Sequence, residues 1–382
     1  MPGRTVDLVA VGPPPLDPYG PAAAAWGLAA ALAARGDDVR VLHLPGPGGG
    51  RPPAGVTSVP VEIPLRRPGG PVEPAEFAAA AGRHLRKPVD LVLRDPVGLG
   101  SLGARRSRRG SPLIAAFARS VELENYEGER QGISPTGFVD RLDTWRDRRS
   151  VRRLERVALE EADRLFYDAP EVARSLTEGY GVAERKLVPL APAVPALPTL
   201  PTRAAARHDL RIPPDVPVVV APTAFEAPAS SGVDRVLEAF RRVRPFFPGV
   251  RLVLCGAPAP SEPGVIVLPG RRADTLSDAL ASADVAVFAR RVPGFDPGVV
   301  LAARASVPPV VLPDARLSVD PAGGVRVAAS VDPGDVASAL AELLADPAVG
   351  QEVGRAAARF AEAFLPERVA DALDAAVLPK GA

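Results

Sequence analysis

Val6-Asp-Leu-Val-Ala-Val11, an alanine-rich run from Pro21 to Arg35 stopped by Gly36, and Val39-Arg-Val-Leu42 together decide the fold. The first and last are short apolar runs of the kind that become buried strands. The middle one reads as a helix, with proline in its first turn and glycine past its last. Strand, helix and strand in succession argue for parallel strands covered by helices on both faces. Asp90-Leu-Val-Leu93, Leu113-Ile-Ala-Ala-Phe117 and Arg164-Leu-Phe-Tyr167 continue the series. The alternation breaks between Ala191 and Pro217, where Pro192, Pro195, Pro198, Pro201, Pro213, Pro214 and Pro217 crowd a segment of little periodicity. Such a composition predicts a stiff linker. Beyond it the pattern restarts with a strand at Val216 to Val220, a helix at Val233 to Val243, strands at Arg251 to Cys255 and Val265 to Leu268, a helix at Asp274 to Ala283 and a strand at Val285 to Ala289. The spacing predicts an α/β protein of two Rossmann-like parallel-sheet domains facing across a cleft. The domains are expected at residues 1–191 and 216–364, joined by a linker at 192–215, with a helix and tail at 365–382 packing back toward the first domain. Ligands of such pairs sit beyond the carboxyl ends of the strands.

Composition bounds the function. The 382 residues suffice for two domains of the usual roughly 100–200 residues. With 46 Pro and 35 Gly the chain holds about 21% of these two residues, under the roughly 25–30% that marks low complexity. A formal net charge of +1 provides no global field for nucleic acid, so no nucleic-acid partner is expected. The lone cysteine, Cys255, excludes an internal disulfide and a cysteine-rich metal site, and a reducing cytoplasm is the expected location. No stretch approaches the roughly 18 apolar residues of a spanning helix, and no secretion signal is expected. Only three of the 46 basic residues are lysine, a bias that follows the codons of a GC-rich bacterial genome.

Smaller pieces recur in a recognisable order. They are Pro13-Pro-Pro-Leu-Asp-Pro-Tyr-Gly20, Leu28-Ala-Ala-Ala-Leu-Ala-Ala-Arg-Gly36, Ala162-Asp-Arg-Leu165, Tyr180-Gly-Val182, Lys186-Leu-Val188, Gly232-Val-Asp234 with Leu237-Glu-Ala-Phe240, Val253-Leu-Cys-Gly256, Leu268-Pro-Gly270, Ala283-Asp-Val285, Gly294-Phe295, Pro308-Pro-Val-Val311 and Pro366-Glu-Arg-Val369. Taken in order over nearly the whole chain, this set resembles the retaining glycosyltransferases of family 4. The resemblance implies the GT-B fold, a nucleotide-sugar donor held in the second domain and no metal or resident cofactor. It also implies an Arg and a Lys on the donor phosphates, and two glutamates eight residues apart toward the sugar and the ribose. Preorganised charge of this kind is worth several kcal/mol of barrier, by analogy with the roughly 3–4 kcal/mol lost with one good oxyanion donor.

The chain departs from that pattern where the chemistry lies. Alignment on Gly232-Val-Asp234 places Thr223 at the Arg and Ser231 at the Lys; alignment on Gly294-Phe295 places Pro293 and Leu301 at the glutamates. Between Asp296 and Asp314 there is no acid. Ala118-Arg-Ser120 stands where the family commonly has a histidine, and His43, His84 and His208 lie elsewhere. At the domain junction the usual Asn-Gly-Val-Asp reads Pro192-Ala-Val-Pro195, and Ala169 replaces a serine.

Two functions remain open from these residues. One is a non-catalytic GT-B protein, a pseudoenzyme that partners or stabilises an active glycosyltransferase or binds a sugar ligand. The other is an active retaining transferase, moving a sugar from a nucleotide-sugar donor to a glycan, lipid or natural-product acceptor with reassigned residues. Arg290 and Arg291 are then the candidate phosphate cations and Asp296 the candidate acid, against the plainer readings of a solvated strand end and a turn-initiating Asp-Pro. The expected donor cleft is lined by Gly20, Thr223, Ser231, Gly270, Arg271, Pro293, Gly294, Phe295 and Leu301. Arg105, Arg106, Arg108 and Arg109, with the arginines between Arg141 and Arg156, offer a weak contact to anionic membrane or an acidic partner, or simply a solvated face. Gly46-Pro-Gly-Gly-Gly50 is no phosphate loop, since Arg51-Pro52 follows instead of Lys-Ser/Thr. Glu122 to Arg130 reads as an acidic surface insertion.

Overall fold

Runs of alternating side-chain direction become strands buried on both faces. In β1 (Thr5–Ala10), Val6, Leu8 and Ala10 point into one core with Trp26, Leu28 and Leu32 of α1 (Ala23–Ala34), while Val9 points into another with Phe77 of α2 (Pro74–His84). Burial on both sides is what an all-parallel sheet demands. The computed structural model describes all residues except 1–2, 11, 16–21, 47–48, 64–73, 96–100, 104–111, 119–137, 197–198, 224–231, 257–261, 269–272, 291–294, 316, 318 and 378–382, and describes only the backbone of 74–75, 138–148 and 273–274.

The chain divides into two compact units, the second spanning Val194–Leu365. In the first, β1 is joined by β2 (Asp38–His43), β3 (Val56–Pro60), β4 (Leu91–Asp95), β5 (Leu113–Ala118), β6 (Arg164–Tyr167) and β7 (Leu187–Pro189) in the order β3-β2-β1-β4-β5-β6-β7. Its helices continue with α3 (Phe138–Glu161) and α4 (Pro170–Tyr180). In the second unit, β8 (Val218–Pro222), β9 (Arg251–Cys255), β10 (Val265–Leu268), β11 (Val285–Phe288), β12 (Pro309–Val311) and β13 (Arg326–Val327) lie in the order β10-β9-β8-β11-β12-β13. Its helices are α5 (Arg203–Asp209), α6 (Val233–Val243), α7 (Ala273–Ser282), α8 (Pro297–Arg304), α9 (Pro333–Ala345) and α10 (Pro347–Ala361). Every pairing between described strands is parallel. The protein is thus a pair of Rossmann-like sheets, the fold class that the alternation predicts.

The stretch read from sequence as a linker carries a helix, because its prolines bracket α5 rather than fill it. Thr202, after Pro201, caps α5 by accepting from the Ala205 amide at 3.3 Å, and Pro213 and Pro214 follow its end. Arg207 fastens α5 to the second sheet, donating to Ser282 O at 3.1 Å and to Asp284 at 2.9 Å. After Leu365 the chain re-enters the first unit as α11 (Pro366–Val377). Val369 and Leu373 of this helix join the α1 core, Arg35 donates to Asp374 at 3.2 Å and also pairs with Asp371, and Arg4 reaches Asp374 at 2.7 Å.

Two buried polar groups hold the first sheet. Asp7, wholly buried on β1, accepts two hydrogen bonds from Arg40 on β2, at 3.0 and 2.8 Å, and two from Arg86, at 2.7 and 2.8 Å. Burial pushes its pKa up, but these bonds and the two positive charges outweigh it and hold the carboxyl below the usual value. His43, at the end of β2, is buried with Nδ1 2.8 Å from Leu44 O and Nε2 2.8 Å from Ser58 Oγ. A carbonyl only accepts, so Nδ1 carries the proton and Nε2 accepts from the serine hydroxyl. Burial lowers the His43 pKa.

Asp7→Asn should therefore cost about 3 kcal/mol in denaturant unfolding, because two partly buried guanidinium groups lose their shared acid. Both depressed pKa values make stability fall toward acid. Asp7 contributes above the unfolded carboxylate pKa of about 4 and loses that contribution below it. His43 opposes folding once the unfolded chain takes up a proton that the folded chain refuses, from about pH 6.5 downward. Unfolding free energies measured between about pH 7.5 and 5.5 should show a shallower slope in His43→Gln than in the unmodified protein.

Candidate functional site

The order of the second sheet locates its ligand end. The chain leaves β8 for β9 on one side and later returns to β11 on the other, so the strand order reverses between β8 and β11. Loops that leave the carboxyl ends of two such strands diverge, and open α/β sheets take ligands in the crevice between them. Four described pieces meet at this end: Thr223 after β8, Gly232 at the start of α6, Ala289-Arg290 after β11, and Phe295-Asp296 before α8.

The first two are packed tightly. Thr223 is buried, and its amide and hydroxyl both donate to Cys255 O, at 2.9 and 2.8 Å. Its side chain thereby ties β8 to the end of β9. Gly232 has φ +60°, and a Cβ there would lie 1.7 Å from Ala289 O. The amino end of α6 therefore abuts the carboxyl end of β11 with no room for a side chain.

The β11 loop is braced from within. Arg290 Nη1 donates to Phe295 O at 2.8 Å, and Arg235, on the first turn of α6, donates from Nη1 to Arg290 O at 3.3 Å. Asp296 is buried and caps α8, accepting from the Gly298 amide at 2.8 Å ahead of Pro297. The Phe295 ring stacks on Phe364 with centroids 5.6 Å apart and an interplanar angle of 19°, and Phe360 meets Phe364 edge-on. Leu301 lies wholly in the core.

The structure thus joins Arg290, Phe295 and Asp296 in one loop, with Thr223 on the neighbouring strand end and Leu301 inside the protein. Gly20, Ser231, Gly270, Arg271, Arg291, Pro293 and Gly294 lie outside the described residues, as do Arg105, Arg106, Arg108, Arg109 and the acidic stretch Glu122 to Arg130. Of the other arginines, Arg152 donates to Gly179 O at 2.9 Å and lies 5.8 Å from the centre of the Tyr180 ring. Arg235 is the residue that sequence reasoning missed. Its signal was its place on the first turn of α6, one residue past Gly232-Val-Asp234, and only the approach of that turn to β11 gives it meaning.

Other chemistry is limited. Complete burial pushes the Cys255 thiol up to about 12, which removes it as a nucleophile. Among the described residues no group of three His, Cys, Asp or Glu is placed to hold a metal ion, and no helix is long and apolar enough to cross a membrane. A separate hollow of about 550 Å³ opens at the amino ends of β8, β11 and β12, lined by Arg203, Arg207, Asp284, Pro308, Leu343 and Gln351. Its two arginines are already paired with Asp284.

The two Rossmann-like sheets, taken with the matches that follow, make this a glycosyltransferase-like protein of the GT-B architecture. Residues 19–193 match the glycosyl transferase 4-like domain and residues 216–346 match the glycosyl transferases group 1 domain. Sucrose-phosphate synthase from Thermosynechococcus elongatus is similar over 97% of this chain and 98% of its own, with 17% identity and a TM-score of 0.73. WaaG, a glycosyltransferase involved in lipopolysaccharide biosynthesis, is similar over 96% and 98%, with 18% identity and a TM-score of 0.68. HepE from Anabaena, in complex with UDP and glucose, is similar over 97% and 98%, with 13% identity and a TM-score of 0.67. At these identities the likeness is one of fold. A comparison with curated protein sequences gave no match.

Cys255 should resist a thiol reagent in the native protein and react at once in denaturant. Thr223→Val removes one of the two hydrogen bonds to Cys255 O and should cost about 1 kcal/mol of stability. Labelling rate against denaturant concentration reads both effects.

Proposed function

We propose that this GT-B protein does not transfer sugar, and that it acts as a non-catalytic partner or stabiliser of an active glycosyltransferase or as a binder of a sugar ligand. The observation that carries this reading is the engagement of the candidate site residues in the fold. Asp296 caps α8, Thr223 closes on Cys255 O, and Leu301 fills the core at the position that the resemblance gives to a glutamate. Retaining transfer needs charge aimed at the departing diphosphate and at the sugar as it becomes cationic. A buried capping carboxylate and a leucine supply neither.

Active transfer by Arg290, Arg291 and Asp296 is the competing reading, and turnover separates the two. The protein is incubated with UDP-, GDP-, ADP- and dTDP-sugars, and released nucleoside diphosphate is measured. Release no faster than in buffer is expected for every donor. Release that is abolished by Arg290→Ala or Asp296→Asn, with the variants still folded, would overturn the proposal. A melting shift without release supports the ligand-binding form, since a ligand at about 100 times its dissociation constant adds roughly 2.7 kcal/mol.

A further inference from the structure

We propose that the hollow at the amino ends of β8, β11 and β12 is a second ligand site, which takes a small monocarboxylate with an apolar body. It lies inside the second unit, at the end of the sheet opposite the candidate site. The inference is therefore independent of the proposed function.

In the charged wall of this hollow one acid serves two bases. Asp284, just before β11, accepts from Arg203 through Oδ1 and from Arg207 through Oδ2, the latter at 2.9 Å, and Oδ2 also accepts from the Val218 amide at 2.8 Å. Two guanidinium groups bonded to one carboxylate leave one positive charge over. Arg207 has little left for a ligand: it is 3% exposed, and its bonds to Ser282 O, Pro213 O, Pro214 O and Asp284 occupy four of its five N–H groups. Arg203, one turn earlier on α5, is half exposed and spends two of its five, on Ala283 O at 3.3 Å and on Asp284. Its Nε and two further N–H groups find no acceptor among the described residues. Burial, and then the charge of Arg203, hold the Arg207 pKa below its ordinary value against the pull of Asp284 and Asp215, as positive charge in excess demands.

A strained serine adds a second polar group. Ser306, which lines the hollow, follows the end of α8 with φ +56°, where a helix usually places glycine. Its carbonyl is pressed on α10, since a Cβ on Gly354 would lie 2.2 Å from Ser306 O. Its hydroxyl has no partner among the described residues. The rest of the wall is apolar, formed by Val216, Pro217, Pro308, Leu343, Leu344 and Pro347. A volume of about 550 Å³ falls within the roughly 300–1,000 Å³ of sites for small ligands. A carboxylate brings the single negative charge that the arginine cluster lacks and accepts from both the Arg203 fork and a hydroxyl. A dianion such as a phosphate monoester would overshoot that charge and meet Asp215, an exposed acid of the same lining. The leucines and prolines then cover the body of the ligand, and each added methylene is worth up to about fourfold in affinity.

Titration calorimetry of the full chain with butyrate, hexanoate and octanoate tests the site, with octanol, octylamine and octyl phosphate as companions of the same length. Affinity should rise from butyrate to octanoate, and octanoate should bind about tenfold or more tightly than octanol or octylamine. Arg203→Gln should weaken octanoate by about tenfold, with Arg203→Lys retaining part of the affinity. Ser306→Gly should weaken octanoate several-fold while raising the melting temperature, because glycine takes φ +56° without strain. A serine with only a structural role would not move binding. Arg241→Gln, on α6 and paired with Glu238 and Glu262, should bind like the unmodified protein. If Arg203→Gln fails to fold, Ser306→Gly carries the test. No binding of octanoate at millimolar concentration, or unchanged binding in both the Arg203 and Ser306 variants, overturns the site. Octanol equal to octanoate, or octyl phosphate tighter than it, overturns the assignment to a monocarboxylate.

Discussion

An aspartate placed just before a strand, reaching back to an amide at the start of its neighbour, fixes both sheets. Asp90 accepts from the Thr5 amide at 2.8 Å and returns its own amide to Thr5 O at 3.0 Å. Asp163 does the same with Ile114, at 3.1 and 2.7 Å, and Asp284 with Val218, at 2.8 and 2.9 Å. Each clasp sits at the amino end of a pair, β1 with β4, β5 with β6 and β8 with β11, and satisfies an amide that the ladder leaves open. Register follows from it. A slip of one residue would turn every buried side chain to the opposite face.

Fixing the amino end of β8 and β11 determines what emerges at the carboxyl end. Five residues after the clasp on Val218 comes Thr223, and five residues after Asp284 comes Ala289, whose carbonyl meets Gly232. The clasp, the length of two strands and one close glycine contact thus bring Arg235 of α6 onto the carbonyl of Arg290. The aromatic stack of Phe295 on Phe364 then ties the loop to the end of the second unit's last helical turn, 69 residues further along the chain. Site geometry here is a consequence of strand length and register rather than of any local motif.

This division explains what the sequence revealed and what it withheld. Apolar runs announce the strands, so Arg164–Tyr167, Arg251–Cys255 and Val265–Leu268 fall where the residues place them. The pairs Ala162-Asp163 and Ala283-Asp284 were visible as pieces of a resemblance, while their mechanical role as clasps required coordinates. Short β12 and β13 carry too few residues to show a period. Helix α5 was masked by the prolines around it. Arg235 was hidden because its partner is a backbone carbonyl 55 residues away, and carbonyls have no sequence signature.

On the proposed reading, the loss of transfer is recorded in the core as well as on the surface. Leu301 stands where the resemblance places the second glutamate, and it is wholly buried among Val299, Val300, Ala302 and Ala303 in α8, which packs on α10, β11 and β12. An ionised carboxylate introduced there would lack a partner and would cost several kcal/mol, a large share of the usual margin of about 5–15 kcal/mol. Thr223 presents the same obstacle in a milder form, since its hydroxyl is the second donor to Cys255 O. Exposed loops can drift and return by single steps, whereas a position absorbed into a close-packed interior returns only with its neighbours.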